Sequence, residues 1–293
     1  MTAPGTLRVG SGEPLVMIHG FSSSPVVWRP VLGRLEPSFD ILAVALTGHA
    51  GGPQLPAGTP ASVSALVDGV EREMDECGFD SAHIAGNSLG GWAALELAQR
   101  GRARSVIALS PAGGWEPGSR EEKRLKGLFS RNHALIARTR AYIPKLVTRP
   151  RLRRAMLGQA MSRADLLTPD EALKMALDVL DCTIYFDLMA AVLRDGPPAS
   201  FDAVTSPVLL AWGTNDKILP EDRYAPRMRR LLPHARSMEL GGLGHVPMGD
   251  DRELVARTIA DFAAAAQSGP SQPGGAEEHS RGASTAAAAQ PIG

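Results

Sequence analysis

Short, nearly unbroken apolar runs recur along the chain, separated by longer stretches in which apolar residues return every three or four positions. The runs are PLVMIHG (14–20), DILAVAL (40–46), AHIAGNS (82–88), SVIALSP (105–111) and PVLLAWG (207–213). Runs this short and this uniformly apolar predict strands covered on both faces. A weaker run, ARSMEL (235–240), predicts a last strand, and TLRVG (6–10) an antiparallel edge strand. Between them, residues 60–77 place Val63, Leu66, Val67, Val70 and Met74 on one face of a helix. Thr59 is the expected N-cap, Pro60 the first helical residue and Gly78 the stop. Further helices are expected over 89–100 and 221–232. Another starts near Asp250 or Asp251, with Leu254, Val255, Ile259 and Phe262 facing inward. Strand–helix alternation of this kind predicts an α/β fold, a mostly parallel, doubly wound sheet with helices on both faces.

The alternation breaks between about residues 115 and 203, where the chain is helical and Met-rich. An insertion here, between two strong strand candidates, lies over one end of the sheet and suits a lid. The expected division is therefore a core of residues 1–114 and 204–267, a helical cap at 115–203 and a tail at 268–293. The tail is rich in Gly, Pro, Ser and Ala and is expected to be disordered.

Composition narrows the function classes. Lys plus Arg equals Asp plus Glu across the 293 residues, so nothing global calls for nucleic acid. Cys77 and Cys182 lack CxxC spacing and read as reduced core thiols, which fits a cytoplasmic protein. No charged and apolar export signal opens the chain, and no run approaches the roughly 20 apolar residues of a membrane span. The expected partner is a small-molecule substrate, with no nucleic acid and no integral membrane segment; homo-oligomerisation stays open. Charge is uneven locally. From Arg120 to Arg163 Lys and Arg face only Glu121 and Glu122, whereas residues 165–202 lean acidic. Mutual neutralisation of the two segments is the favoured reading, against attraction of an anionic substrate or a membrane surface.

One stretch concentrates the candidate chemistry. HIAGNSLGGWAALELA (83–98) surrounds Ser88 with Gly86, Gly90 and Gly91, after a strand and before a helix. A sharp strand-to-helix turn forces its central residue into an unfavourable conformation and leaves no room for a Cβ two positions either side. The hydroxyl is thereby pushed out at the carboxyl edge of the sheet, where the unpaired N–H groups of the next helix also point. A serine hydroxyl needs a base to act as nucleophile. His245 in GGLGHVPMGDD supplies one, and Asp216 in AWGTNDKILP can orient it; Asp222, Asp202 and Glu116 stay open as the acid. The loop MIHGFSSS after the first core strand offers the Phe21 N–H to join that of Leu89 in holding an oxyanion. His19 and His49 are expected to shape loops, and His83 and His234 receive no chemical role. Trp92 is read as core packing. Met156, Met161, Met175 and Met189 suit either a pocket wall or plain packing of the cap. No His/Cys cluster has metal-ligand spacing, so neither metal nor organic cofactor is expected.

The pieces HGF, GNSLGGW, GTNDKILP and GLGHVPM, in this order and each at a strand end, resemble the α/β-hydrolase superfamily from about residue 5 to residue 265. LTGHAGG (46–52) is similar to that family's loop after its next strand. The resemblance implies the fold, the helical cap and a Ser88–Asp216–His245 triad working on a carboxylic ester or related acyl bond. Superfamily members that open epoxides or remove halides have aspartate at the nucleophile position, so Ser88 argues against those reactions. Asn87 resembles members that hydrolyse C–C bonds of ring-cleavage products, which have tryptophan after the histidine; this chain has Val246. A receptor of this fold with little turnover is a second class.

Overall fold

The computed structural model describes residues 3–267, so the tail expected at 268–293 lies outside the described residues. Seven strands form one sheet: β1 (Leu7–Val9), β2 (Glu13–Ile18), β3 (Phe39–Val44), β4 (Ala82–Asn87), β5 (Ala103–Leu109), β6 (Val208–Gly213) and β7 (Arg236–Leu240). Their spatial order is β1-β3-β2-β4-β5-β6-β7. Only β1 runs antiparallel, pairing Leu7 with Ala43, and every other neighbour is parallel. The central strands have no exposed face. All six residues of β4 and all six of β6 are buried, as their unbroken apolar runs require.

Helices α1 (Arg29–Leu35), α2 (Val63–Glu76) and α3 (Leu89–Gln99) follow β2, β3 and β4. Five more, α4 (Arg120–Thr139), α5 (Ile143–Leu146), α6 (Pro150–Leu157), α7 (Pro169–Leu177) and α8 (Tyr185–Asp195), occupy the stretch between β5 and β6. Then α9 (Glu221–Leu231) follows β6 and α10 (Arg252–Gln267) follows β7. Apolar side chains of α2, α3 and α9 pack on one face of the sheet, and those of α1 and α10 on the other. The inserted helices extend the first of these cores, contributing Leu125, Ile136 and Leu188 to it.

Two local expectations change. The helix expected from residue 60 begins at Val63, because the Ser62 side chain accepts the Ala65 N–H at 3.1 Å and caps it. Thr59 and Pro60 lie before it. Helix α1, not among the elements expected above, buries Val31 and Leu35 and packs against α10. The Asp250–Asp251 ambiguity also separates. Asp251 accepts the Leu254 N–H at 2.9 Å and caps α10, which leaves Asp250 to turn inward.

The connectivity positions the site. From β2 the chain passes to β3 on one side, then returns to β4 on the other. The loops leaving β2 and β4 therefore diverge at the carboxyl edge, and a crevice opens where strand order reverses.

Candidate active site

Ser88 sits in that crevice with φ 57° and ψ −118°, a left-handed conformation a serine adopts only under constraint. The constraint is visible. Its N–H donates to Leu109 O at 3.0 Å, and its carbonyl accepts N–H groups from Gly91, Trp92 and Ala112. A Cβ on Gly86 would overlap the Gly90 carbonyl, and one on Gly90 would overlap the Ile18 carbonyl. Both glycines are thus required by close backbone approach. A Cβ on Gly20 would come 3.2 Å from Ser88 Cβ, so the loop after β2 lies directly against the serine. Among the described residues, neither the Phe21 nor the Leu89 N–H has an acceptor, which leaves both donors free beside Ser88.

The loop after β6 supplies Asp216 and the loop after β7 supplies His245, both buried. His245 Nδ1–H donates to Asp216 Oδ2 at 2.7 Å. The other carboxylate oxygen accepts the N–H groups of Ile218 and Leu219 at 2.9 and 2.8 Å. Burial pushes the Asp216 carboxyl up. The charge and hydrogen bond of His245, with the Leu219 N–H, outweigh that push and hold it below the usual carboxylate range. An ionised Asp216 accepts only, so the proton shared with it sits on Nδ1 of His245, and Nε2 is the nitrogen left to exchange a proton. The other acids lie elsewhere: Glu116 pairs with Arg227 and Arg230, Asp222 faces solvent beside Arg223, and Asp202 is exposed.

Two residues outside the expected set hold the histidine in place. Asn87 Nδ2 donates to Leu109 O at 3.1 Å and to His245 O at 2.8 Å, joining the residue before Ser88 to the histidine itself. Asp250 accepts three backbone N–H groups: Gly244 at 2.7 Å, Ser162 at 3.0 Å and Arg163 at 2.7 Å. Val246 N–H donates to Ala160 O at 2.8 Å. Consecutive backbone groups around His245 thus go to Asp250, Asn87 and the helical insertion. For Asn87 the position beside Ser88 was the only available signal; for Asp250 the doubled acid hid the split in roles.

His19 and His49 shape the loops, as expected. His19 accepts the Leu46 N–H at Nε2 and donates from Nδ1 to Gly20 O, at 3.1 and 2.9 Å. Burial pushes its pKa down to about 3, and that of His49 to about 4, so both imidazoles stay neutral. His83 lies at the opposite, amino end of the sheet, bonded to Ser105.

A cavity of about 80 Å³ opens at Ser88 between the sheet and the helical insertion. Phe21, Leu89, Trp92, Trp115 and Leu219 line its inner side; Leu125 and Phe129 of α4 and Leu188, Met189 and Val192 of α8 line its outer side. Glu122 and Lys126 are its charged wall residues. Trp92, read above as core packing, is buried and also faces the cavity, edge-on to Trp115 with centroids 6.1 Å apart. Of the four methionines singled out, Met189 lines this cavity. Met161 and Met175 line a separate small hollow.

The family model for the alpha/beta hydrolase family matches residues 15–258. The chain belongs to the alpha/beta hydrolase family. Within it, the chain is 33% identical to epoxide hydrolase EphH of Mycobacterium tuberculosis over 204 residues, covering 69% of this chain and 94% of the relative. It is 31% identical to the pimeloyl-[acyl-carrier protein] methyl ester esterase of Aromatoleum aromaticum over 254 residues, covering 84% and 96%. Among solved structures, a thermophilic esterase from Thermogutta terrifontis superposes with a TM-score of 0.66 at 21% identity, covering 89% of this hydrolase chain and 93% of that one. Among the described residues of this alpha/beta hydrolase, no helix is long and apolar enough to cross a membrane, and no cluster of His, Cys, Asp and Glu could hold a metal ion.

Proposed function

We propose that the protein is a serine hydrolase cleaving a carboxylic ester of a small to medium apolar substrate. The observation that carries this reading is the buried His245–Asp216 pair, its donor proton on Nδ1, tied by a hydrogen bond to Asn87, the residue before Ser88. In the proposed cycle, Nε2 of His245 takes the Ser88 proton as the oxygen attacks the ester carbonyl. The oxyanion that forms is held by the free N–H groups of Phe21 and Leu89, each donor worth on the order of 10²–10³ in rate. The imidazolium, stabilised by Asp216, returns its proton to the leaving alcohol. Water activated by the same nitrogen then releases the acid and restores Ser88. The apolar cavity beneath the inserted helices, acting as a cap, would take the acyl or alcohol part.

The epoxide-hydrolase name of one relative raises a second reaction, and Ser88 weighs against it. A carboxylate that opens an epoxide forms an ester, which water can cleave. A serine would form an ether, with no carbonyl for water to attack. A fluorophosphonate should therefore label Ser88 and abolish turnover of a p-nitrophenyl ester panel, while Ser88→Ala loses at least about 10⁴-fold in kcat with its fold intact. Absence of both labelling and ester turnover, or diol formation from an epoxide that survives Ser88→Ala, would reject the proposal.

A further inference from the structure

The basic stretch 120–163 does not neutralise the acidic stretch that follows it. Among the described residues, Arg163–Asp165 at 3.7 Å is the one ion pair between them. Arg124 instead donates to the carbonyls of Lys217 and Ile218, and Arg153 to those of Val147 and Asp165. The acids pair within their own segment, Lys174 with Asp178 and Arg194 with Asp195. Among the described residues, Arg131, Arg138, Arg140, Lys145, Arg149 and Arg151 are exposed and have no carboxylate partner.

Two exposed apolar side chains, Leu135 and Tyr142, lie among these cations along the chain. Along the outer half of α4, Arg131, Ala134, Leu135 and Arg138 follow i, i+3, i+4, i+7 spacing and are all exposed, so they form one stripe. The opposite face of the helix buries Leu125 and Ile136. Leu135 is 61% exposed, Tyr142 in the turn beyond is 67% exposed, and Phe186 at the start of α8 is 57% exposed. The His133 ring lies against Phe186 and Tyr185, with centroids 4.8 and 4.6 Å apart, but His133 shares the face of Ile136, so the start of α8 packs on the side of α4 turned away from the stripe and Phe186 is not part of it. A helix stripe that sets an exposed leucine between arginines, next to an exposed tyrosine, carries the mixed cationic and apolar character of an interaction surface.

We infer that the outer face of α4, with Tyr142 and the basic segment that follows it, docks the protein on an anionic phospholipid bilayer. Arginine and lysine meet the lipid phosphates while Leu135 and Tyr142 enter the headgroup boundary. Leu135 stands between Arg131 and Arg138 on the stripe and Tyr142 follows Arg140, so cations alternate with exposed apolar side chains here, which suits the anionic headgroup boundary of a bilayer. Helices α4 and α8 line the cavity with their inner faces, Phe129 on α4 and Leu188 on α8. A docked bilayer would therefore rest against α4, one of the helices that wall the pocket.

The full chain should be sedimented with vesicles of phosphatidylcholine alone, and with phosphatidylglycerol added. Binding is expected only to the anionic vesicles, and should fall more than tenfold at about 0.5 M salt, where the screening length is only a few ångströms. The double variant Arg131→Glu/Arg138→Glu should lose at least tenfold in binding, and Leu135→Ser/Tyr142→Ser several-fold. Turnover of a soluble p-nitrophenyl ester and the circular dichroism spectrum should stay unchanged in both variants, which separates lost docking from lost folding. The binding readout needs no catalysis, so it stands or falls apart from the ester reading. Absence of binding to anionic vesicles overturns the inference, as does binding insensitive to Arg131→Glu/Arg138→Glu. Equal binding to soluble polyglutamate, unaffected by Leu135→Ser/Tyr142→Ser, overturns it in favour of an acidic protein partner.

Discussion

Replacing Asp250 by asparagine should impair turnover more than substrate binding. The carboxylate accepts three N–H groups at 2.7–3.0 Å: one from Gly244, next to His245, and two from the helical insertion. Asparagine retains one acceptor oxygen, and its NH₂ must face at least one of these donors. Hydrogen bonds to a charged group contribute about 1.5–3 kcal/mol each, and a buried donor left without an acceptor costs about 1–3 kcal/mol. The three share one side chain and do not add, so a net loss of about 2–3 kcal/mol is expected, or roughly 5–10 °C in Tm for a domain of this size. The larger consequence is local. With Gly244 released, the backbone around His245 is held by the Asn87 and Val246 contacts alone, and a shift near 1 Å at a reacting group can cost about 10²-fold. Steady-state kinetics on a p-nitrophenyl ester should then show kcat lowered about 10- to 100-fold with KM within about twofold, since the cavity wall is untouched. Thermal unfolding alone does not discriminate, because any buried acid would lower Tm. An unchanged kcat beside a lowered Tm would refute the reasoning, because the histidine would then be held in place without Asp250.

Other perturbations test other links. His19 and His49 have pKa values lowered by burial to about 3 and about 4, against 6.5 unfolded, so the unfolded chain binds more protons between those limits. Their contribution is complete above the unfolded value and is lost as pH falls, by about 2 kcal/mol each from about pH 7 to about pH 5. Urea midpoints across that range should drop accordingly, and His19→Asn should flatten the slope. Gly90→Ala would drive a methyl group into the Ile18 carbonyl and should cost more than about 3 kcal/mol, read as loss of soluble folded protein; a stable, active variant would contradict the close approach at the turn. Met189→Trp should fill the cavity and lower kcat/KM for longer p-nitrophenyl esters by about tenfold relative to the acetate. Equal loss at every chain length would move the acyl group elsewhere.

Much of this molecule is legible in its sequence because the governing physics is local. Buried strands must be nearly continuous in apolar residues, and a turn that forces φ 57° on Ser88 must be flanked by glycines; both leave their mark on adjacent positions. Strand positions, the antiparallel edge, the helical stretch between β5 and β6 and the residues at the carboxyl edge could thus be read directly. What the folded chain alone decided were pairings between distant positions. Asp216 rather than Glu116 meets His245, Asp250 rather than Asp251 turns inward, and Trp92 faces the cavity as well as the core. The basic segment points outward where mutual neutralisation was expected, because ion pairing depends on which side chains face each other in space, and a list of charges along the chain does not contain that.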